Sequence, residues 1–173
     1  MSTARPFAFH HETTAALNAP LDDAFAYLDD FRKLSSHMER SSGMMLGSKM
    51  EISTDREGGR TVGSRVAMRG KVLAIPLALE EVVVQREPPT RKAWETMSAN
   101  LLVIGDYRLG FELEPTGPTC TVRVFIEYDL PSGALTRWLG ALFAKAYARW
   151  CTEQMARDAT RYFAPAGMIA RAG

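Results

Sequence analysis

The sequence predicts an α+β domain in which a curved antiparallel sheet of six to seven strands is covered by one long C-terminal helix. Three observations carry this prediction. A period of two recurs from Met44 to Asp129, a period of three to four runs from Ser132 to Phe163, and no other segment is long enough to cover a sheet.

The first strand is read from Phe7 to Leu17, where Phe7, Phe9, His11, Thr13, Ala15 and Leu17 share one side. Asn18-Ala19-Pro20 stops it, and the period then lengthens: Leu21, Ala24, Phe25, Leu28 and Phe31 form a stripe that Asp22, Asp23, Asp29 and Asp30 avoid. A short helix is expected here, with Asn18 as a cap, Pro20 in its first turn, and Asp22 and Asp23 complementing the positive end of its dipole. Phe31 to Met38 is expected to make a second short helix.

The strand-rich block follows. Met44, Leu46, Ser48, Met50 and Ile52 alternate with Met45, Gly47, Lys49, Glu51 and Ser53, and Asp55 to Arg60 supplies a hairpin turn. The returning strand places Val62, Ser64, Val66 and Met68 on one face, with Arg65, Arg69 and Lys71 on the other. Pro76 marks a bend or an edge position. Leu77 to Arg86 is a strand of ambiguous facing because Val82, Val83 and Val84 are consecutive, yet Glu80 and Glu81 must take opposite faces. Pro88-Pro89-Thr90 turns the chain into Lys92 to Ala99. Tyr107, Leu109, Phe111 and Leu113 then lie opposite Asp106, Arg108, Glu112 and Glu114, and after a PTGPT turn Val122, Val124, Ile126 and Tyr128 lie opposite Arg123, Phe125, Glu127 and Asp129. Ser132 is a plausible N-cap for the terminal helix, whose length of about 30 residues spans roughly 45 Å.

A chain of 173 residues buries roughly 70% of its unfolded surface and needs no metal or disulfide staple. The domain is expected over residues 1–163, with 164–173 as a frayed tail. With 21 basic and 20 acidic residues the net charge is +1, so no strong field exists to gather nucleic acid, and none is expected as a partner. Cys120 and Cys151 show neither CxxC nor metal-knuckle spacing. The absence of a signal-like or 18-residue apolar run points to a soluble, cytoplasmic protein.

Four stretches carry a resemblance: LNAPLDDAFAYLDDF (Leu17 to Phe31), GSRVAMRGKV, EEVVVQREPPTRKAWET with its Pro-Pro turn, and the terminal amphipathic helix. Together they resemble the START-related, polyketide cyclase/dehydrase-like superfamily (SRPBCC), which has the helix-grip fold of the birch pollen allergen. The resemblance covers Phe7 to Phe163. It implies the fold and supports a cavity between sheet and helix, but not one activity, since such families include lipid carriers, hormone receptors, cyclases, chaperone activators and quinone-binding proteins.

Candidate site residues come from facing and residue chemistry. Inward parity gives a mostly apolar wall with polar heads: Met50, Ser64, Met68, Tyr107, Leu109 and Tyr128 are ligand-binding candidates, joined by Leu139, Phe143 and Tyr147 on the helix. His37 joins them because the resemblance places it at the cavity mouth. The catalytic candidates are Tyr107, Tyr128, Glu81, Glu95 and His37, with an inward glutamate beside a tyrosine as the acid/base pair. Against this stands the reading of Glu81 and Glu95 as outer-face residues near Arg or Lys. His10 and His11 suit structural positions. The two-histidine, one-carboxylate iron site of related oxygenases has no counterpart in spacing, so neither metal nor cofactor is expected.

The terminal helix carries two stripes that one straight helix cannot bury on one sheet. Leu135, Trp138, Leu139, Leu142, Phe143, Ala146 and Trp150 form the first; Tyr147, Cys151, Met155 and Tyr162 lie roughly opposite. Three arrangements resolve this: a break near Gly140 that turns the first half into a lid, a homodimer contact, or a transient membrane contact. The state is therefore monomer or homodimer. The expected function is binding or carrying a hydrophobic small molecule, such as a lipid, quinone or polycyclic aromatic. The alternatives are a polyketide cyclase/dehydrase-type enzyme and a protein-interaction module.

Overall fold

The computed structural model describes residues 6–34, 50–72, 75–99, 101 and 103–165. The elements in chain order are β1 (Phe9–Leu17), α1 (Leu21–Leu28), α2 (Phe31–Leu34), β2 (Met50–Thr54), β3 (Arg65–Val72), β4 (Ile75–Glu87), β5 (Arg91–Ala99), β6 (Tyr107–Thr116), β7 (Thr119–Tyr128) and α3 (Ala134–Tyr162). The strands form one curved antiparallel sheet in the order β1-β7-β6-β5-β4-β3-β2, with the chain crossing from β1 by way of α1 and α2 to the far edge. This is the helix-grip α+β fold.

Alternation decides which face is core. Tyr107, Leu109, Phe111 and Leu113 of β6 and Val122, Val124, Ile126 and Tyr128 of β7 are all buried on the side that α3 covers. On the opposite face Phe125 is buried as well, with the guanidinium groups of Arg91 and Arg123 5.9 and 5.8 Å from its ring. It lies over Gly110, where a Cβ would come 2.7 Å from Phe125 Cζ and 2.6 Å from the Lys92 carbonyl oxygen. Gly110→Ala is therefore expected to lower stability by about 1–3 kcal/mol, because strand β5 or the Phe125 ring must move. Urea unfolding of the variant measures it.

Strand β4 is irregular against β5. The register shifts between Glu80 and Glu81 and again between Val83 and Gln85, which leaves Met97 and Val84 without a cross-strand partner. The ambiguity of the three valines is resolved here: Val83 is buried, whereas the bulged Val84 is 36% exposed. The second bulge also reverses facing beyond it, so that Arg86, opposite Lys92, turns to the core side.

That reversal builds an ion cluster beneath the short helices. Lys92 is fully buried, and its Nζ donates to both Asp29 Oδ1 and the Asp29 carbonyl oxygen at 2.8 Å. Arg86 donates to the two Asp29 carboxylate oxygens from Nε (3.1 Å) and Nη2 (2.9 Å). Lys92 also sits 4.3 Å from the Phe31 ring centroid. The cluster fastens the α1–α2 junction to the middle of the sheet.

Several local expectations shift. Pro20, not Asn18, holds the N-cap position of the first helix, with no side-chain cap hydrogen bond, because helical geometry starts at Leu21 and leaves Asn18 two residues before the cap. Gly133 replaces Ser132 as the cap of α3. The turn before β3 is longer than Asp55 to Arg60, so Val62 lies in it, 61% exposed, and not on a strand. The helix α2 is described only to Leu34, and 35–38, like 44–49 at the start of the strand expected from Met44, lie outside the described residues; the rest of that strand is β2.

Helix α3 is continuous through Gly140, so the broken-helix lid does not form. Gly140 serves instead as a contact point: a Cβ there would lie 2.9 Å from Pro131 and 3.0 Å from the Val103 carbonyl oxygen. The buried face of α3 is made of small residues, Ala144, Ala148, Ala156 and Ala159, together with Cys151, Thr152 and Met155. It packs on β1 and β7. A polar peg fixes the helix: Thr152 Oγ1 lies 2.9 Å from Thr13 Oγ1 and 3.1 Å from His11 Nδ1. Most of the first stripe is left outside, with Leu135, Trp138, Leu142 and Phe143 all more than half exposed, while Leu139 is half-buried and Trp150 packs against the core.

Candidate functional site

One carboxylate enters the core from the sheet. Glu81 is 1% exposed on β4, between the two register shifts, with Val66 of β3 on one side and Thr96 of β5 on the other. The Tyr107 hydroxyl on β6 donates to Glu81 Oε1 in a short hydrogen bond. Tyr107 reaches across β5 because the intervening residue is the small Thr96, whose hydroxyl is occupied by the Tyr107 backbone at 3.2 and 3.3 Å. Glu81 Oε2 is buried and has no hydrogen-bond partner among the described residues.

Burial raises the Glu81 carboxyl from its ordinary value to about 7, against the lowering pull of the Tyr107 hydroxyl and, after it, Trp94. The helix contributes Tyr147 and Cys151, one turn apart. Burial pushes the Cys151 thiol up to about 12 and raises Tyr147 further, and the nearby Glu81 charge acts in the same direction on both. Tyr107 is raised for the same reasons, burial first and Glu81 second. Through the neutral range Glu81 is therefore the titrating member of this group, able to donate from Oε2 when protonated and to accept when ionised. A buried acid poised near pH 7 is suited to proton transfer as well as to holding a polar head group.

The sequence candidates fall in different places. Glu81 and Tyr107 meet; Tyr147 is half-buried beside them. Tyr128 is buried one strand over, opposite Tyr107 in register, and stacks on Phe9 at 5.4 Å. Met68 and Leu109 are buried on the same inner face, and Leu139 is half-buried. Ser64 is buried but lies in the turn before β3, where its hydroxyl meets Thr61 Oγ1 at 2.9 Å.

Two candidates require correction. Glu95 faces outward, since its neighbour Trp94 takes the inner position, and it accepts from Arg108 Nε at 2.7 Å as part of an outer-face ladder that includes Glu127. Phe143 is 52% exposed because α3 does not bend at Gly140. His37 and the Met50 side chain lie outside the described residues.

Neither Cys151 nor Thr96 is among the candidate site residues that the sequence offers. The i, i+4 spacing of Tyr147 and Cys151 on the second stripe was the signal for the first; the bulges that aim Glu81 and space Thr96 leave none.

Other clefts among the described residues lie at the surface. One of about 440 Å³ opens beside Phe25, Arg60, Arg86, Pro88 and Pro89. A second of about 290 Å³ lies between α2 and the Asp55–Arg60 turn. Neither reaches Glu81. Among the described residues no group of three or more His, Cys, Asp or Glu side chains could hold a metal ion, and no helix is long and apolar enough to cross a membrane.

Solved structures share this architecture at low identity. Protein CV1439 from Chromobacterium violaceum is 14% identical with a TM-score of 0.62, covering 90% of this chain and 98% of its own. Major latex-like protein 151 from Panax ginseng is 13% identical with a TM-score of 0.59, covering 92% and 99%. Ara h 8.0201 is 10% identical with a TM-score of 0.58, covering 87% and 97%. At these identities the likeness concerns the fold. No curated protein is similar enough in sequence to match. The model of one family, described as polyketide cyclase / dehydrase and lipid transport, matches residues 8–162. With nearly the whole chain matched and the helix-grip fold in place, the protein belongs to the polyketide cyclase / dehydrase and lipid transport family.

Proposed function

We propose that the protein binds a hydrophobic small molecule, of the lipid, quinone or polycyclic aromatic kind, between the sheet and α3, with Glu81 and Tyr107 as the polar end of the site. The observation that carries this reading is the unpartnered Oε2 of Glu81 in an otherwise apolar wall. Leaving a buried polar group unsatisfied costs about 1–3 kcal/mol, which a ligand offering one polar atom would recover. Apolar area would supply the affinity and the Glu81–Tyr107 pair the orientation.

Native mass spectrometry of the purified protein, followed by organic extraction, tests the reading. A copurifying lipid, quinone or aromatic is the expected result. Consistent absence, together with no uptake of hydrophobic probes, would contradict it.

A second reading rests on the same pair. A carboxyl near pH 7 hydrogen-bonded to a tyrosine can act as general acid/base in an aldol-type ring closure or dehydration. If Glu81→Gln leaves ligand affinity intact but abolishes turnover of a poly-β-keto substrate, the enzyme reading replaces the carrier reading. The exposed stripe from Leu135 to Phe143 offers a place for a transient membrane or homodimer contact during exchange of the ligand.

A further inference from the structure

We infer that the N-terminal half of α3 is a docking face for an anionic lipid bilayer, lying in the plane of the headgroups with Leu135, Trp138, Leu142 and Phe143 inserted. The inference goes beyond the binding reading above and holds whether or not a ligand is carried.

The placement of the side chains is the first argument. Ala144, Ala148 and Cys151 hold α3 against the sheet, where it packs on β1 and β7. At about 100° per residue, Leu135, Leu142 and Ala146 fall on the side opposite those contacts, with Trp138 and Phe143 on its two edges. The four large side chains are 75%, 62%, 55% and 52% exposed in chain order. Phe9, Val62, Val84 and Met97 are also exposed, but each lies on a different element. Only on α3 do the described residues bring four such side chains together within nine positions.

Charge supplies the second argument. From Ala134 to Thr152 the helix carries Arg137, Lys145 and Arg149 and no acidic residue, in a chain whose net charge is +1. All three cations are exposed. Lys145 and Arg149 stand one turn apart along the Trp138 edge, where their stems can lie on apolar surface while their heads reach outward to phosphate. The first carboxylate, Glu153, is 3.9 Å from Arg149 Nε with both side chains solvated, too loose a pair to neutralise the cation. Leu, Phe and Trp on one face with Lys and Arg beside them suit a helix that lies within a bilayer interface, and no described helix is long and apolar enough to cross one.

The same charges argue against a second copy of the chain. An isologous contact over this stretch would bring the three cations of each copy together with no carboxylate from either. The four exposed side chains offer on the order of 500 Å², short of the roughly 800 Å² per partner that a stable interface buries. A negatively charged surface has neither difficulty.

Cosedimentation of the full chain with vesicles tests this, using phosphatidylcholine alone and phosphatidylcholine with about 30% phosphatidylglycerol. The expected result is partitioning about tenfold stronger onto the anionic vesicles, falling severalfold in about 0.5 M sodium chloride. Leu142→Gln, and Lys145→Gln combined with Arg149→Gln, are each expected to weaken it about tenfold. Val62→Gln, which alters a similarly exposed apolar side chain in the turn before β3, is expected to leave it unchanged. All these positions are exposed, and matching urea midpoints will show that the variants fold. Equal partitioning onto the two vesicle types, no partitioning, or an equal loss with Val62→Gln overturns the inference. A dimer in sedimentation velocity that Leu142→Gln dissolves, without vesicle attachment, overturns it in favour of a second copy. A copurifying ligand without vesicle attachment removes this inference alone, and vesicle attachment without a ligand removes only the binding reading.

Discussion

Glu81→Gln is expected to stabilise the protein by up to about 3 kcal/mol at pH 8.5 and by little at pH 5. Burial raises the folded-state carboxyl from 4.5 to about 7. Below the unfolded value both states hold the proton and nothing is lost. Between the two values the folded state binds more protons than the unfolded chain, so stability falls as pH rises. Above about 7 the folded state must carry a buried charge, and the shift corresponds to about 3 kcal/mol at 1.36 kcal/mol per pH unit. Glutamine keeps the acceptor for Tyr107 without ever ionising. Asp55 and Glu12 are shifted the other way by their hydrogen-bond partners, as is Asp29, where burial raises the carboxyl but Arg86 and Lys92 together lower it further; their contributions are therefore lost only on acidification and do not overlap this window. Urea unfolding of both proteins at pH 5, 7 and 8.5 measures the difference. A stability gap that does not change with pH would show that Glu81 does not titrate there.

Removing Asp29 is expected to cost about 3–5 kcal/mol, the range for stripping one partner from a buried ion pair. Asp29→Ala leaves the fully buried Lys92 facing a carbonyl oxygen and a phenyl ring, with no anion. Burial already lowers the Lys92 pKa, and Asp29 is what raises it back. Without Asp29 the folded lysine must give up its proton. The variant should therefore gain stability with rising pH, because the unfolded chain then binds more protons than the folded one. Lys92→Met should cost well under half as much, since the methionine stem fills similar space and Asp29 keeps Arg86. Thermal unfolding of both variants measures the asymmetry; equal losses would mean that packing at Lys92, not charge, sustains the junction.

The sheet and the terminal helix were legible because their signals are periodic. The alternation in Tyr107 to Leu113 and Val122 to Tyr128 specified the buried face residue by residue. Glu80 and Glu81 were legible as a pair on opposite faces. Which one entered the core depended on two bulges opposite β5, and a bulge inserts one residue without any composition of its own. The same irregularity hid the Asp29–Lys92–Arg86 cluster, since parity alone places Gln85, not Arg86, beside Val83 on the inner face. The two stripes of α3 were read correctly as incompatible with one sheet. Their resolution turned on Gly140, where glycine reads equally as a break or as a close contact with Pro131.

A crystal structure of the protein with a bound polycyclic aromatic carrying one polar group tests the central reading most directly. The ring system should lie between the sheet and α3, with the polar atom about 3 Å from Glu81 Oε2 and Tyr107 still donating to Oε1. Density confined to the surface cleft beside Phe25 and Pro89, with the Glu81 environment unchanged, would contradict it.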